Sequence, residues 1–433
     1  MEQKGGSAMR RWTEIGKDLL IVILVAALLT LTLLALPERT LTSSPVLSAA
    51  LKPFAGLFGL DQAELTYTEK ALPGLDAAQP LAVSVRNSAG RYTAQYDFET
   101  LDSVYEALGS MLGQALESAQ LEQTTLQKLY SAIAGISVTF VYPAELPSGV
   151  LAEWLGAQAP EAGEAAMLYV LSLQESGAVR LYLCGESCWV GDTALSGDAL
   201  TQALDSYRPD GSFFALEDGT GRYDRVDPRS LIGGETPRLY GATSANPCDA
   251  RTITPLAAEL GFNPYGDASY TDAEGNSFFS ETGASLRITA DGRLLLSVEE
   301  PLLRFTAASA EASAVIETAR ALLAQLTDGL TGSARLYLTE LVETEEETVC
   351  TFDYVLDGVP VMQKNGAHAA VVYFTGGALT ELELLLRSYT PGTQPISLMP
   401  AAQAAAIVPE GSWLRILYDD PGGGQLNAGW KKS

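Results

Sequence analysis

Apolar and polar positions follow two periods along most of this chain, and one stretch follows neither. Residues 19–36 read LLIVILVAALLTLTLLAL, eighteen positions without a charge, thirteen of them Leu, Ile or Val. At about 1.5 Å rise per residue they make roughly 27 Å of helix, close to the hydrocarbon thickness of a bilayer. Elsewhere the helical period dominates at 100–116, where Leu101, Val104, Leu108, Met111, Leu112 and Ala115 form one stripe. It recurs at 121–134, 147–155, around Thr201, at 252–260, at 308–325 and at 400–407. Alternating or β-branched runs predict strands at 81–85, 92–96, 136–142, 167–173 and 179–190, and again at 269–271, 277–280, 285–289 and 294–298. A last group falls at 334–342, 347–356, 367–374, 379–389 and 413–418.

The expected class is α+β: one N-terminal transmembrane helix, then antiparallel sheets with helices packed on one face. The expected organisation is a tail over 1–18, the span over 19–36, a juxtamembrane segment over 37–62 and an N-terminal domain over 63–234. A middle domain over 235–306 and a C-terminal domain over 307–433 follow. Lys4, Arg10, Arg11 and Lys17 precede the span, while only Arg39 and Lys52 follow it closely. By the positive-inside rule the N-terminus is cytoplasmic and the bulk of the chain extracytoplasmic. A cleaved signal peptide is the competing reading. The apolar run exceeds the usual length, and Leu34-Ala35-Leu36-Pro37 lacks a clean small-x-small site. Within the span, Ala26 and Thr30 form a small-x-x-x-small pair, a candidate helix–helix contact.

Formal net charge is −26, from 53 acidic and 27 basic residues. Such a body repels nucleic acid, so none is expected as a partner. Cys184 and Cys188 flank a three-residue loop between two short apolar runs, a candidate disulfide across a hairpin.

Candidate chemistry is sparse. His368 is the single histidine and sits in an alternating strand pattern; no G-x-S-x-G occurs. The stretch 272–276 lacks Gly and Glu at the positions a calcium loop needs and reads as a turn. The acidic run 343–347 reads as a hairpin turn, and 421–425 as a hairpin tip. No catalytic residue, metal ligand or cofactor site is assigned.

Several motifs resemble a known family. They are Glu259-Leu260-Gly261-Phe262-Asn263-Pro264, Ser269-Tyr270-Thr271-Asp272, Leu286-Arg287-Ile288 with Asp291-Gly292, and Phe352-Asp353-Tyr354-Val355-Leu356-Asp357-Gly358-Val359-Pro360-Val361. Arg387-Ser388-Tyr389, Pro400-Ala401-Ala402-Gln403-Ala404 and Ala428-Gly429-Trp430 complete the set. Together they resemble the extracytoplasmic YycH/YycI-type regulators of Gram-positive bacteria. The resemblance implies a non-enzymatic accessory protein that restrains a cell-wall sensor histidine kinase by contacts with its transmembrane helices. A paralogous regulator is a possible second partner. The alternative is an extracytoplasmic receptor for a cell-wall glycan, lipid or peptide, and a wall hydrolase ranks last. A deep apolar cleft with convergent polar groups would favour the receptor.

Overall fold

A computed structural model describes residues 78–158, 163–234, 239–409 and 411–432. The expected span, the juxtamembrane segment, and Ala26 with Thr30 lie outside the described residues. Among the described residues no helix is long and apolar enough to cross a membrane.

The chain is α+β with mostly antiparallel sheets. The N-terminal lobe runs β1 (Ala82–Asn87), β2 (Gly90–Gln95), α1 (Phe98–Ser118), β3 (Glu122–Thr124), α2 (Leu126–Ala134) and β4 (Ser137–Pro147). It continues through α3 (Ser148–Trp154), β5 (Ala165–Leu173), β6 (Ala178–Cys184), β7 (Cys188–Ser196), α4 (Gly197–Leu204), β8 (Ser212–Phe214) and β9 (Leu231–Gly233). Seven strands form an antiparallel sheet in the order β2-β1-β4-β5-β6-β7-β3, and β8 and β9 make a separate ribbon.

Helix α1 begins where Asp97 accepts the Glu99 amide, and it buries Leu101, Leu108 and Leu112 completely. Each such leucine contributes about 1.5–3 kcal/mol by leaving water. Helices cover both faces of this sheet, a difference from the one-faced arrangement expected. The reason lies in consecutive apolar positions. Along β5, Tyr169 and Leu171 join the core that holds α1, while Leu168 and Val170 join the core that holds α2. Cys184 and Cys188 face each other across the β6–β7 hairpin and are joined by a disulfide.

The C-terminal lobe runs β10 (Tyr240–Ala245), α5 (Ala250–Glu259), β11 (Tyr270–Thr271), β12 (Ser277–Glu281), β13 (Ala284–Ile288), β14 (Arg293–Val298), α6 (Ala312–Thr327), β15 (Ala334–Glu343) and β16 (Thr348–Leu356). It ends with β17 (Val359–Gln363), β18 (Ala370–Thr375), β19 (Ala378–Leu385), β20 (Ser388–Pro395), α7 (Ala401–Ile407), β21 (Leu414–Asp420) and β22 (Gly424–Lys432). These thirteen strands build one sheet, ordered β11-β12-β13-β14-β19-β18-β16-β17-β21-β22-β10-β20, with β15 on β16. Strands from 235–306 and from 307–433 therefore share that sheet. The seam is β14 on β19, with Leu294 opposite Leu384 and Leu296 opposite Leu382. All four leucines are buried, so separating the segments would expose apolar surface on both sides. Only β17 and β21 pair in parallel among the described strands.

A contiguous apolar cluster runs from Val83 in the N-terminal sheet to α6 and Leu386 in the C-terminal lobe.

Candidate functional site

The two lobes meet along β4 and α3 on one side and α6 and β15 on the other. Trp154 ends α3. Its indole Nε1 donates to Glu317 Oε2 on α6 at 2.8 Å. One helical turn on, Arg320 binds the same carboxylate with Nε at 2.8 Å and Nη2 at 2.5 Å, and its guanidinium lies 5.8 Å from the Trp154 ring centroid. Nη1 of Arg320 is buried and has no hydrogen-bond partner, although the side chain is only 11% exposed. A buried donor left unfilled carries a desolvation cost.

Beside this cluster lies a cavity of about 310 Å³. Its walls are mainly apolar: Ala144 and Leu146 from β4, Leu323 and Ala324 from α6, and Leu336 and Leu338 from β15. Five consecutive β15 residues, Ala334 to Leu338, line it, so the backbone of the strand contributes as well as alternate side chains. Among the described strands β15 pairs with β16 alone, which leaves its second edge without a ladder. Opposite, β4 shifts register with β5 between Val141 and Leu146.

A second polar group closes the cavity. Asp102 of α1 takes both arms of Arg335, at 3.0 and 2.8 Å, and also binds Gln79. Gln79 in turn accepts from Arg335 and from the Tyr337 hydroxyl. The Arg335 guanidinium stacks 4.0 Å from the Phe98 centroid. Both ion pairs are internally neutral, and Asp328 adds one negative charge to the lining.

A wider cleft of about 900 Å³ opens elsewhere between the lobes, faced by Tyr92, Tyr96, Tyr240 and Tyr418 together with Asp97, Asp210 and Asp357. Tyr96 (φ 60°) and Asp357 (φ 49°) both adopt left-handed backbone there. Gly358 explains the closeness: a Cβ on it would stand 3.0 Å from the Tyr96 amide nitrogen. Burial and the nearby Asp97 carboxylate push the Asp357 carboxyl up, against the opposing charge of Arg335.

Next to this cleft Asp227, 4% exposed, receives Arg229 at 3.0 and 2.8 Å and Arg415 at 2.6 Å. Burial alone would raise its carboxyl. The Arg229 hydrogen bonds and the Arg415 and Arg229 charges outweigh that and hold it at about 2.

Other chemistry-bearing residues hold the scaffold. His368 Nδ1 lies 3.0 Å from Asp353 Oδ2, and that carboxylate also accepts Thr339 Oγ1 at 2.8 Å and the Ala369 amide at 3.1 Å. The hydroxyl thus addresses the acid and not the imidazole, which is not the order of a nucleophile–base–acid relay. Asp272 accepts the Glu274 and Asn276 amides and the Asn276 side chain, closing the turn between β11 and β12. Burial pushes the Cys248 thiol up to about 11 and the Cys350 thiol to about 12. Among the described residues no group of three His, Cys, Asp or Glu is placed to hold a metal ion.

Of these residues, sequence reasoning singled out Cys184, Cys188 and His368, which lie apart from the interlobe cavity. It passed over Trp154, Glu317, Arg320, Gln79, Asp102 and Arg335. The Glu317–Arg320 spacing on a predicted helix was legible as an ion pair, but nothing local announces Trp154 as its third member. Compared with known proteins, the sequence matches no family model and no curated protein at a significant level.

Proposed function

We propose that this chain is a membrane-anchored extracytoplasmic accessory protein, held by residues 19–36, that regulates a sensor histidine kinase of a cell-wall two-component system. The observation that carries the reading is the hydrocarbon-length uncharged run with its basic N-terminal flank, joined to a large acidic α+β body. The motifs that resemble those of YycH/YycI-type regulators support it. In the fold two of them hold turns or caps: Gly261 (φ 78°) ends α5, with the Phe262 amide returning to Ala257, and Asp357-Gly358 turns β16 into β17.

In this reading Ala26 and Thr30 lie on the face that packs against the kinase's transmembrane helices, and a paralogous regulator is a further partner. A single span that binds one state of a kinase bundle better than another biases its output without turnover. The test replaces residues 19–36 with an unrelated apolar span and measures kinase-dependent transcription. Loss of regulation supports the reading, and unchanged regulation sinks the span contact.

The interlobe cavity favours a second reading, a receptor for a cell-wall glycan, lipid or peptide. A volume of about 310 Å³ falls at the lower end of small-ligand sites, and its apolar walls and buried Arg320 have the composition such sites use. Filling it with Ala324→Phe tests this. Kinase-dependent transcription that ignores the substitution counts against a receptor at this place.

A further inference from the structure

We infer that the wider tyrosine-lined cleft binds a linear polyamine, an aliphatic chain carrying two or more ammonium groups. The site shares no lining residue with the cavity beside Arg320 and goes beyond both readings above. Charge makes the first selection. Among the described residues lining the cleft, Asp97, Asp210 and Asp357 stand against Arg208 alone, within a chain of net charge −26. A concave wall of one sign gathers ions of the other. Aromatic rings make the second. Tyr92, Tyr96, Tyr240 and Tyr418 line the same cleft, and phenol faces attract ammonium groups while their apolar bodies cover methylenes.

An open acceptor makes the third. Asp357 is half-buried on the cleft wall, no described residue donates a hydrogen bond to its carboxylate, and neither oxygen is among the unpartnered atoms sealed from water. A ligand N–H can reach it, which favours a primary ammonium over a quaternary one. Burial and Asp97 already disfavour the Asp357 charge. A cation relieves that cost, a neutral ligand leaves it in place and an anion adds to it. The arrangement suits more than one ammonium. Asp97 acts on both Asp357 and Tyr92, and Tyr92 also feels Asp210, so the carboxylates follow one another along the cleft with a phenol among them. A volume of about 900 Å³ gives room for a chain. Among the described residues no three acidic groups converge closely enough to hold a metal ion instead.

The experiment titrates the full chain, in nonionic detergent at fixed ionic strength, with spermidine, 1,4-diaminobutane, acetyl-lysine-amide and neutral 1,4-butanediol, read by calorimetry. Saturable binding is expected for spermidine, weaker for the diamine and absent for the diol. Asp357→Asn is expected to weaken spermidine about tenfold by removing a charged acceptor, and Tyr240→Leu about threefold by removing a ring. Glu186→Gln removes the same charge from an exposed loop outside the cleft and should leave binding unchanged. Absence of saturable spermidine binding overturns the proposal. Equal losses in Asp357→Asn and Glu186→Gln overturn it too, because they assign the binding to diffuse attraction by the whole chain. Acetyl-lysine-amide binding as tightly as spermidine overturns the polyamine in favour of a lone ammonium. A diazirine-bearing diamine crosslinked to the wild-type chain needs no variant. Adducts on 92–97, 208–212, 240, 357 or 418 support the site, and adducts confined elsewhere overturn it.

Discussion

The indole of Trp154 and the carboxylate of Glu317, distant in sequence, meet at 2.8 Å across the boundary between the lobes. Phenylalanine at 154 keeps an aromatic ring, though a smaller one, and removes the donor. Trp154→Phe is expected to cost about 1–2 kcal/mol, since the lost bond is to a charged acceptor that is itself partly solvated. Urea unfolding measures it. A double-mutant cycle with Glu317→Ala, which removes the acceptor, should show coupling between the two sites, and additive losses would place the effect in the ring packing instead.

Asp227 makes stability depend on acid. Its carboxyl is held at about 2 in the fold against about 3.8 unperturbed. A depressed carboxyl stabilises the fold above its unfolded value, and the contribution drains away as pH falls from about 4 through 2. The shift corresponds to roughly 2 kcal/mol. Asp227→Asn is expected to lower the unfolding midpoint at pH 7 and to narrow its distance from wild type near pH 2. Thermal unfolding across that range checks it.

Asp357 works in the opposite sense. Its carboxyl is raised by burial and by Asp97, so the charged form is disfavoured in the fold at neutral pH. Asparagine tolerates the left-handed backbone there and carries no charge. Asp357→Asn should raise stability slightly at pH 7, with solvent screening keeping the gain small. The gain should vanish in acid, where the wild-type carboxyl is protonated. A gain that persists at low pH would assign the effect to turn geometry.

The Cys184–Cys188 bond closes a loop of sequence separation 4. So short a loop limits the entropic contribution to about 2 kcal/mol. Replacing both cysteines by serine is expected to lower the unfolding midpoint modestly and to abolish its sensitivity to reducing agent. Cys350 is fully buried with its thiol pushed up to about 12, and it should resist maleimide in the folded protein.

Local patterns were legible where burial is one-sided or repeated in short range. The stripe from Leu101 to Leu112 gives α1 its length, and the apolar runs around Cys184 and Cys188 give the β6–β7 hairpin. Consecutive apolar residues in β5 and β6 already carried the two-faced burial of the N-terminal sheet. Pairing partners were not legible. Nothing near Leu294 specifies Leu384, and nothing near Tyr240 says that β10 will lie between β20 and β22. The cavity shares this property, because Trp154, Arg320 and Arg335 acquire meaning only when distant segments meet. A run such as 269–280 carries its hairpin within itself, whereas an interlobe wall is a property of the assembled chain.

The position of β10 also sets a timetable. Its neighbours are β20 and β22, both built from segments far downstream, so β10 must wait, both edges bare, until those segments have been made. Such long-range closure is slow, and the waiting edges invite pairing with other chains. A nascent copy of this protein is therefore exposed to aggregation from the emergence of β10 until β20 and β22 have joined it. Loss of β22 alone, Gly424–Lys432, would leave β10 with one bare edge and damage a region made long before it.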